Sequence, residues 1–329
     1  MMKENSNISS ITIIGNTTWG QAIATLIDKE KVDVNILCRT ESEAKYRVNK
    51  LDKVNSLPPK IHLSSDISII NNSELIIFAF PSQSIISNLK IINNNLNKNH
   101  KFLIASKGIE KTSGRRLSEV LTEEITFIDK KNISILSGPN LAKEIYENKT
   151  TSTVIASKNL NFLNNIKTIL ESNKFKIYLS EDTIGVELGG ALKNIVTLGA
   201  GICDGLNIGN NLKGAFISIA FSEIVKLALS AGAQSVTISG LSGLGDTLAS
   251  SYSPFSRNRL AGQYLAEGYS VNNINKKINN IIEGLDTLHG AKALSQKLNI
   301  DHTFIDLLID VFNQKKHPKE LLKNTIGNI

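Results

Sequence analysis

The β-branched run Ile8-Ser9-Ser10-Ile11-Thr12-Ile13-Ile14 stops at Gly15, and a helical pattern opens at Gly20. A strand that turns through glycine straight into a helix commits the chain to a strand packed against its own helix. Ala22, Ile23, Leu26 and Ile27 fall on one side of that helix, and Val32–Leu37 reads as a second strand. Leu75–Phe80, Lys101–Ala105 and Ile133–Leu136 are further compact apolar runs between polar or helical segments, and Val154–Ala156 and Lys176–Leu179 extend the series. Strands alternating with helical connections make a largely parallel sheet.

The texture changes after about Ser180. Ile184, Leu188, Ile195 and Leu198 recur at helical spacing, followed by Ala215–Leu229 and Ile305–Val311. The expected architecture is α/β: an N-terminal Rossmann-like doubly wound sheet over residues 1–180, followed by a mainly α-helical domain over 181–329. A length of 329 residues suits two domains, and 41% hydrophobic residues excludes a disordered, collagenous or coiled-coil chain. The apolar runs are short, Leu75–Phe80 and Ile133–Leu136 being strand-sized and far below the roughly 20 residues of a membrane span, and the polar start Met1–Asn5 shows no signal peptide. Cys38 and Cys203 form no CxxC pair, so neither a disulfide scaffold nor a zinc site is expected, and the compartment expected is the cytoplasm. The net charge of +7 calls for an anionic partner, or simply reflects a lysine-rich surface. The basic residues are scattered and aromatics make up only 5%, which argues against nucleic acid.

The turn Gly15-Asn16-Thr17-Thr18-Trp19-Gly20 matches the dinucleotide-binding pattern GxGxxG at its first and third glycines, with Thr17 at the second. Its place between the first strand and a helix gives amides that can hold phosphate; an ordinary strand–helix turn has the same form. The second strand ends Leu37-Cys38-Arg39, without the acidic residue that accepts from an NAD ribose. Arg39 suits a 2′-phosphate, favouring NADP over NAD; the alternative is a surface arginine beginning a helix.

Several other residues carry chemistry. Lys193 lies in a stretch from Val186 to Ile202 that is otherwise almost wholly small or apolar. Burying an unpaired ammonium is expensive, so such a lysine either snorkels or faces a cleft with its pKa lowered by desolvation and a nearby cation. Gly189 and Gly190, about one turn earlier, leave room for a ligand. Lys107 leaves a strand at the sheet's carboxyl edge, as a ligand-facing residue or a plain loop lysine. Gly138 and Asn140 occupy a turn whose free amides suit substrate oxygens. Ser256-Arg257-Asn258 offers hydroxyl, guanidinium and amide to a phosphate monoester, or else caps a helix. Asp246 follows a glycine-rich turn, Ser239 to Gly245, that lacks the Gly-Lys-Ser/Thr ending of a P-loop. The five histidines show no metal-ligand spacing and read as surface or loop residues, there is no GxSxG elbow, and no metal is expected.

Together, Ala105–Glu110, Ser137–Glu144, Glu187–Asn194, Gly243–Asp246, Ser256–Arg259 and Ile282-Glu283-Gly284 resemble, in order and spacing, the bacterial NAD(P)-dependent glycerol-3-phosphate dehydrogenases. Trp19 and Phe80-Pro81-Ser82-Gln83 are also similar to that family, while Thr17 departs from it where glycine is usual. The resemblance implies interconversion of dihydroxyacetone phosphate and sn-glycerol 3-phosphate with NAD(P)H, feeding glycerophospholipid synthesis. It implies that Lys193 is the catalytic lysine, that Lys107 contacts both substrate and cofactor, and that Asp246 orients Lys193 or a substrate hydroxyl. It further implies cofactor contacts at Gly15, Thr18, Trp19, Gly20, Ala142, Arg257, Ile281 and Glu283. The partner is then a small phosphorylated substrate, with a homodimer left open. A β-hydroxyacid or ketopantoate-type reductase, and a non-catalytic dinucleotide sensor, are the alternatives.

Overall fold

The computed structural model describes residues 8–27, 32–45 and 57–327. The chain forms two compact units. One comprises Met1–Ser106, Ser118–Leu136 and Asn140–Thr183, the other Lys107–Leu117, Ser137–Pro139 and Ile184–Ile329.

The first unit is built on β1 (Ser10–Ile14), β2 (Asp33–Leu37), β3 (Ile61–Ser64), β4 (Leu75–Phe78), β5 (Lys101–Ile104), β6 (Ile133–Ser137), β7 (Thr151–Ala156) and β8 (Phe175–Ser180). Its helices are α1 (Thr18–Leu26), α2 (Glu41–Lys45), α3 (Ile85–Ile92), α4 (Leu117–Glu124), α5 (Ala142–Tyr146) and α6 (Leu160–Leu170). The strands lie in one sheet, in the order β3-β2-β1-β4-β5-β6-β7-β8. Ile13 of β1 stands between Ile36 of β2 and Ile77 of β4. β4 and β6 are buried at every position, as strands covered on both faces must be.

From β3 to β6 the neighbours run parallel, as the sequence suggested. β7 and β8 are parallel to each other. They enter the sheet reversed, however. Ser157 Oγ, just past the end of β7, donates to the carbonyl of Ile133 at the start of β6. Asn140, just past the end of β6, donates to the Ser152 carbonyl at the start of β7. α5 has 5 residues and rises only about 7.5 Å, too little to carry the chain back along a strand.

Two features go beyond the sequence reading. β3 was not anticipated, because its Ile-His-Leu-Ser sequence is short and half polar, as an edge strand's can be. His100 lies in a loop, just before β5, but is buried there, with Nδ1 accepting from the Asn97 amide at 3.0 Å and burial holding its pKa below the usual imidazole value.

The chain reverses its direction of growth at β1: it moves outward to β2 and β3, then returns to lay β4 on the other side. The carboxyl ends of β1 and β4 are therefore the switch point at which open α/β sheets take ligands. Gly15 sits there with φ +115°, and a Cβ on it would lie 2.8 Å from the Ala79 carbonyl oxygen just past β4.

The second unit is helical, with α7 (Thr183–Gly205), α8 (Asn210–Ser230), α9 (Ser235–Ile238), α10 (Asp246–Tyr252), α11 (Arg257–Ala266), α12 (Val271–Ile278), α13 (Glu283–Leu298), α14 (Thr303–Phe312) and α15 (Pro318–Ile326). α7 is its axis: every residue from Gly185 to Cys203 is buried. By length and composition it could cross a bilayer, but its apolar stretch lies wholly inside the protein, as a core helix's does. A Cβ on Gly201 would overlap the Arg259 carbonyl, and one on Gly262 the Leu198 carbonyl, so α7 and α11 meet backbone to backbone.

Candidate active site

In the second unit the site begins with Lys193 at the middle of α7, 7% exposed. Its Nζ donates to Asp246 Oδ1 at 2.8 Å and to Ser250 Oγ at 2.6 Å. Lys107 Nζ donates to the other carboxylate oxygen, Asp246 Oδ2, at 2.6 Å and to the Gly138 carbonyl at 2.8 Å. One buried carboxylate thus holds two ammonium groups, one on each oxygen. An ammonium has three N–H donors, so the third on Lys193 is left for a ligand.

Local structure explains how Asp246 comes to face α7. Leu241–Gly245 forms a single π-helical turn, and Asp246 is the first residue of α10 that follows it. A Cβ on Gly243 would overlap the Ile238 carbonyl, and one on Gly189 would lie 3.1 Å from the Gly243 nitrogen. Gly189 therefore lets this turn press against α7, while Gly243 lets it fold back closely on α9. Ser250 is the residue one turn after Asp246 on the same helix face, and its hydroxyl donates back to Asp246 Oδ1 at 3.1 Å. Gly189 and Gly190 do not leave room for a ligand, as expected from their size. The first faces the π turn, and a Cβ on the second would overlap Ser137 Oγ.

The charges set the protonation chemistry. Burial pushes the Lys193 ammonium down to about 8, against the pull of Asp246; the positive charges of Lys107 and Arg257 lower it further. Burial works to raise the Asp246 carboxyl, but Lys107 and Lys193 outweigh it and keep it below the usual carboxylate range. An ammonium poised near neutrality with a free N–H can give a proton to a developing alkoxide, and take it back.

The Ser256-Arg257-Asn258 segment opens α11. Ser256 caps the helix, its Oγ accepting from the Arg259 amide at 3.4 Å, so the capping alternative holds for this residue. Arg257 is exposed, one amine donating to Asn280 Oδ1 at 2.6 Å, and Glu283 at the start of α13 lies within reach of its charge. Asn258 donates to Asn194 Oδ1 at 2.8 Å and accepts from the Gly284 amide at 3.0 Å, joining α11 to α7 and α13. Ile281, just before α13, is 44% exposed. Ser250 and Asn194 are functional neighbours that the sequence does not mark: the first lies one turn after Asp246 and the second next to Lys193. Arg116, on the loop that also carries Lys107, pairs with the buried Glu187 of α7 at 3.2 Å.

In the first unit, Gly15, Thr18, Trp19 and Gly20 come together at the switch point. A Cβ on Gly20 would overlap the Gly15 carbonyl, which is the packing role of the third glycine. Thr17 has an extended backbone, φ −101°, and turns its hydroxyl inward. That hydroxyl accepts from the Gly20 amide at 2.9 Å and donates to the Ala79 carbonyl at 2.7 Å. The threonine replaces one ligand-facing amide with a helix cap and leaves those of Thr18 and Trp19 at the N-terminus. The Trp19 indole donates to the Ala105 carbonyl at 2.9 Å.

Arg39 follows β2, its amide donating to Glu43 Oε2 at 3.1 Å and its exposed side chain meeting no carboxylate among the described residues. Ala142 begins α5. The Asn140 side chain is engaged with β7, accepting from Thr153 Oγ1 at 2.9 Å and donating to the Ser152 carbonyl at 3.1 Å. A glycine cradle at the switch point and open amides at a helix N-terminus fit a dinucleotide. No cluster of metal-ligating side chains occurs among the described residues.

Comparison with known proteins agrees with this geometry over both units. Residues 10–163 match the N-terminal model of NAD-dependent glycerol-3-phosphate dehydrogenase, and residues 182–323 its C-terminal model. The chain belongs to the NAD-dependent glycerol-3-phosphate dehydrogenase family. A glycerol-3-phosphate dehydrogenase (NAD(P)+) of Dehalococcoides mccartyi is 36% identical over 320 residues, covering 95% of this chain and 89% of the relative. One from Halalkalibacterium halodurans is 32% identical, covering 98% and 95%. The crystal structure of glycerol-3-phosphate dehydrogenase from Coxiella burnetii superposes with a TM-score of 0.91 at 26% identity, covering 98% of this chain and 99% of that one.

The shared carboxylate generates a stability prediction. Asp246→Asn leaves the buried Lys193 ammonium, and the partly buried Lys107 beside it, without their counter-charge, and breaking a buried pair this way costs about 3–5 kcal/mol. Urea denaturation followed by circular dichroism should show a loss of that size; a loss below about 1 kcal/mol contradicts the shared-carboxylate reading.

Proposed function

We propose that this chain reduces dihydroxyacetone phosphate to sn-glycerol 3-phosphate with NADPH or NADH, and runs the reverse reaction through the same groups. The observation that carries the proposal is Lys193, a buried lysine with lowered pKa held by Asp246 and Ser250 in a member of this family. Gly15, Thr18, Trp19 and Gly20 would hold the pyrophosphate, with Arg39 at the adenosine ribose and Ala142, Ile281 and Glu283 as further contacts. A bound reduced nicotinamide supplies a hydride to the central carbonyl carbon.

The chain's own residues do the rest. Lys193 gives its free N–H proton to the carbonyl oxygen as charge builds there, and in the oxidative direction the neutral amine takes the proton from the hydroxyl. Lys107 and Lys193 stabilise the developing alkoxide electrostatically. Asp246 keeps both ammonium groups aimed, and the Ser250 hydroxyl fixes the rotation of the Lys193 amine. Arg257 clasps the phosphate with the N–H groups not given to Asn280, helped by Ser256 and Asn258, so that the carbonyl is presented in one orientation. Gly138 and Asn140 complete the substrate contacts. Arg39, unopposed by any described carboxylate, favours NADPH over NADH. The product would supply glycerophospholipid synthesis in the cytoplasm, a setting that the two free buried cysteines suit.

The direct test follows absorbance of the reduced nicotinamide, with NADPH or NADH, in the presence of dihydroxyacetone phosphate or of 2-keto acids. Turnover only with 2-keto acids would move the chain to the β-hydroxyacid reductase class, and cofactor binding without turnover would make it a sensor. Lys193→Ala should lower kcat by about 100-fold or more, and an unchanged kcat removes this lysine from the chemistry. Arg39→Glu should lower kcat/KM for NADPH relative to NADH, whereas an unchanged ratio overturns the cofactor preference.

A further inference from the structure

A second charge cluster, built around a buried lysine, lies beyond the residues assigned above, at the carboxyl end of α7. Asp204 accepts from Lys213 Nζ on both oxygens, at 2.8 and 2.9 Å, and pairs with Arg259 Nε at 2.6 Å. The third N–H of Lys213 donates to the Ser251 carbonyl at 2.9 Å, and the Tyr252 ring covers the ammonium at 4.5 Å from its centroid. Lys213 is 5% exposed, and each of its donors has an acceptor.

The positions of these partners are informative. Ser251 is the residue after Ser250 on α10, and Arg259 lies two residues beyond Arg257 on α11. Asp204 therefore holds one end of the segment 251–259 directly, at Arg259, and the other, at Ser251, through Lys213; the segment carries Ser256, Arg257 and Asn258 between these tethers. The Gly201 and Gly262 contacts press the same part of α11 onto α7. Buried ion pairs are poor sources of net stability, since apolar residues of similar volume commonly do as well or better. Their value here is geometric: fixed donors and acceptors set the separation and register of α7, α8, α10 and α11.

We propose that Asp204, Lys213 and Arg259 are positioning residues that hold Arg257 in its phosphate-clasping orientation, making this cluster a determinant of specificity for a phosphorylated substrate. The proposal rests on the reaction proposed above. It assigns the cluster no contact with substrate: its effect passes through the tethered segment.

The test compares dihydroxyacetone phosphate with dihydroxyacetone, which lacks the phosphate. Lys213→Met removes the charge at similar volume. It should raise KM for the phosphorylated substrate about tenfold, lower the kcat/KM ratio between the two substrates about as much, and leave kcat within about threefold. Lys213→Arg should restore the ratio. In an Arg257→Ala background, Lys213→Met should have no further effect on that ratio, because both act on one interaction. Asp204→Asn carries the same expectation if the methionine variant does not fold. A variant with lower melting temperature but unchanged KM and substrate ratio would show a merely structural role and overturn the proposal. Wild-type failure to reduce dihydroxyacetone phosphate would bring down the reaction and this proposal together, whereas wild-type turnover with an unaltered ratio in the variants sinks the positioning role alone.

Discussion

Two ammonium groups, Lys193 buried and Lys107 partly so, held on one buried carboxylate are the constraint that the rest of the helical unit serves. Asp246 binds Lys193 through one oxygen and Lys107 through the other. Like charges repel strongly in a low-dielectric interior, and only the carboxylate between them makes their approach tolerable. The wholly buried α7 places Lys193, while the π turn of small residues brings Asp246 against it. The loop that carries Lys107 is tied to the same helix through Arg116 and Glu187. Each device answers a problem set by burying charge, and the reward is a lysine with a pKa near the working pH of a cell.

The glycine turn shows how a motif survives the loss of one of its glycines. Gly15 and Gly20 occupy positions where a side chain would strike backbone. Position 17 has no such restriction: its backbone is extended, and its hydroxyl caps the helix it precedes. The substitution exchanges one open amide for a capped one. It alters how a phosphate is held without dismantling the cradle.

Much of this was readable in the residues, for identifiable reasons. The alternation of apolar runs with helical segments exposed the sheet because strands buried on both faces leave continuous hydrophobic stretches. Lys193 stood out because a charge inside an apolar helix demands an explanation. What stayed hidden depends on contacts distant in sequence. Ser250 and Asn194 are ordinary polar residues until the fold sets them beside Asp246, Lys193 and Asn258. Lys213 and Asp204 lie at helix ends, where charged residues are commonplace, and nothing local marks them as buried partners. Gly189 and Gly190 suggested room for a ligand, but the packing fills that room with the π turn and Ser137 of this chain. The edge strand β3 and the reversal at β7 escaped because both are short and their pairing is decided by tertiary context.

The central claim is that burial and neighbouring cations, restrained by Asp246, set the Lys193 ammonium near neutrality. It is tested most directly by the pH dependence of kcat/KM for dihydroxyacetone phosphate reduction and glycerol 3-phosphate oxidation, followed from about pH 6 to about pH 11. A proton donor must be charged and an acceptor neutral. Reduction should therefore fall, and oxidation rise, through a common midpoint of about 8. A reduction rate that stays level until close to 10.5, the ordinary lysine value, would contradict the account.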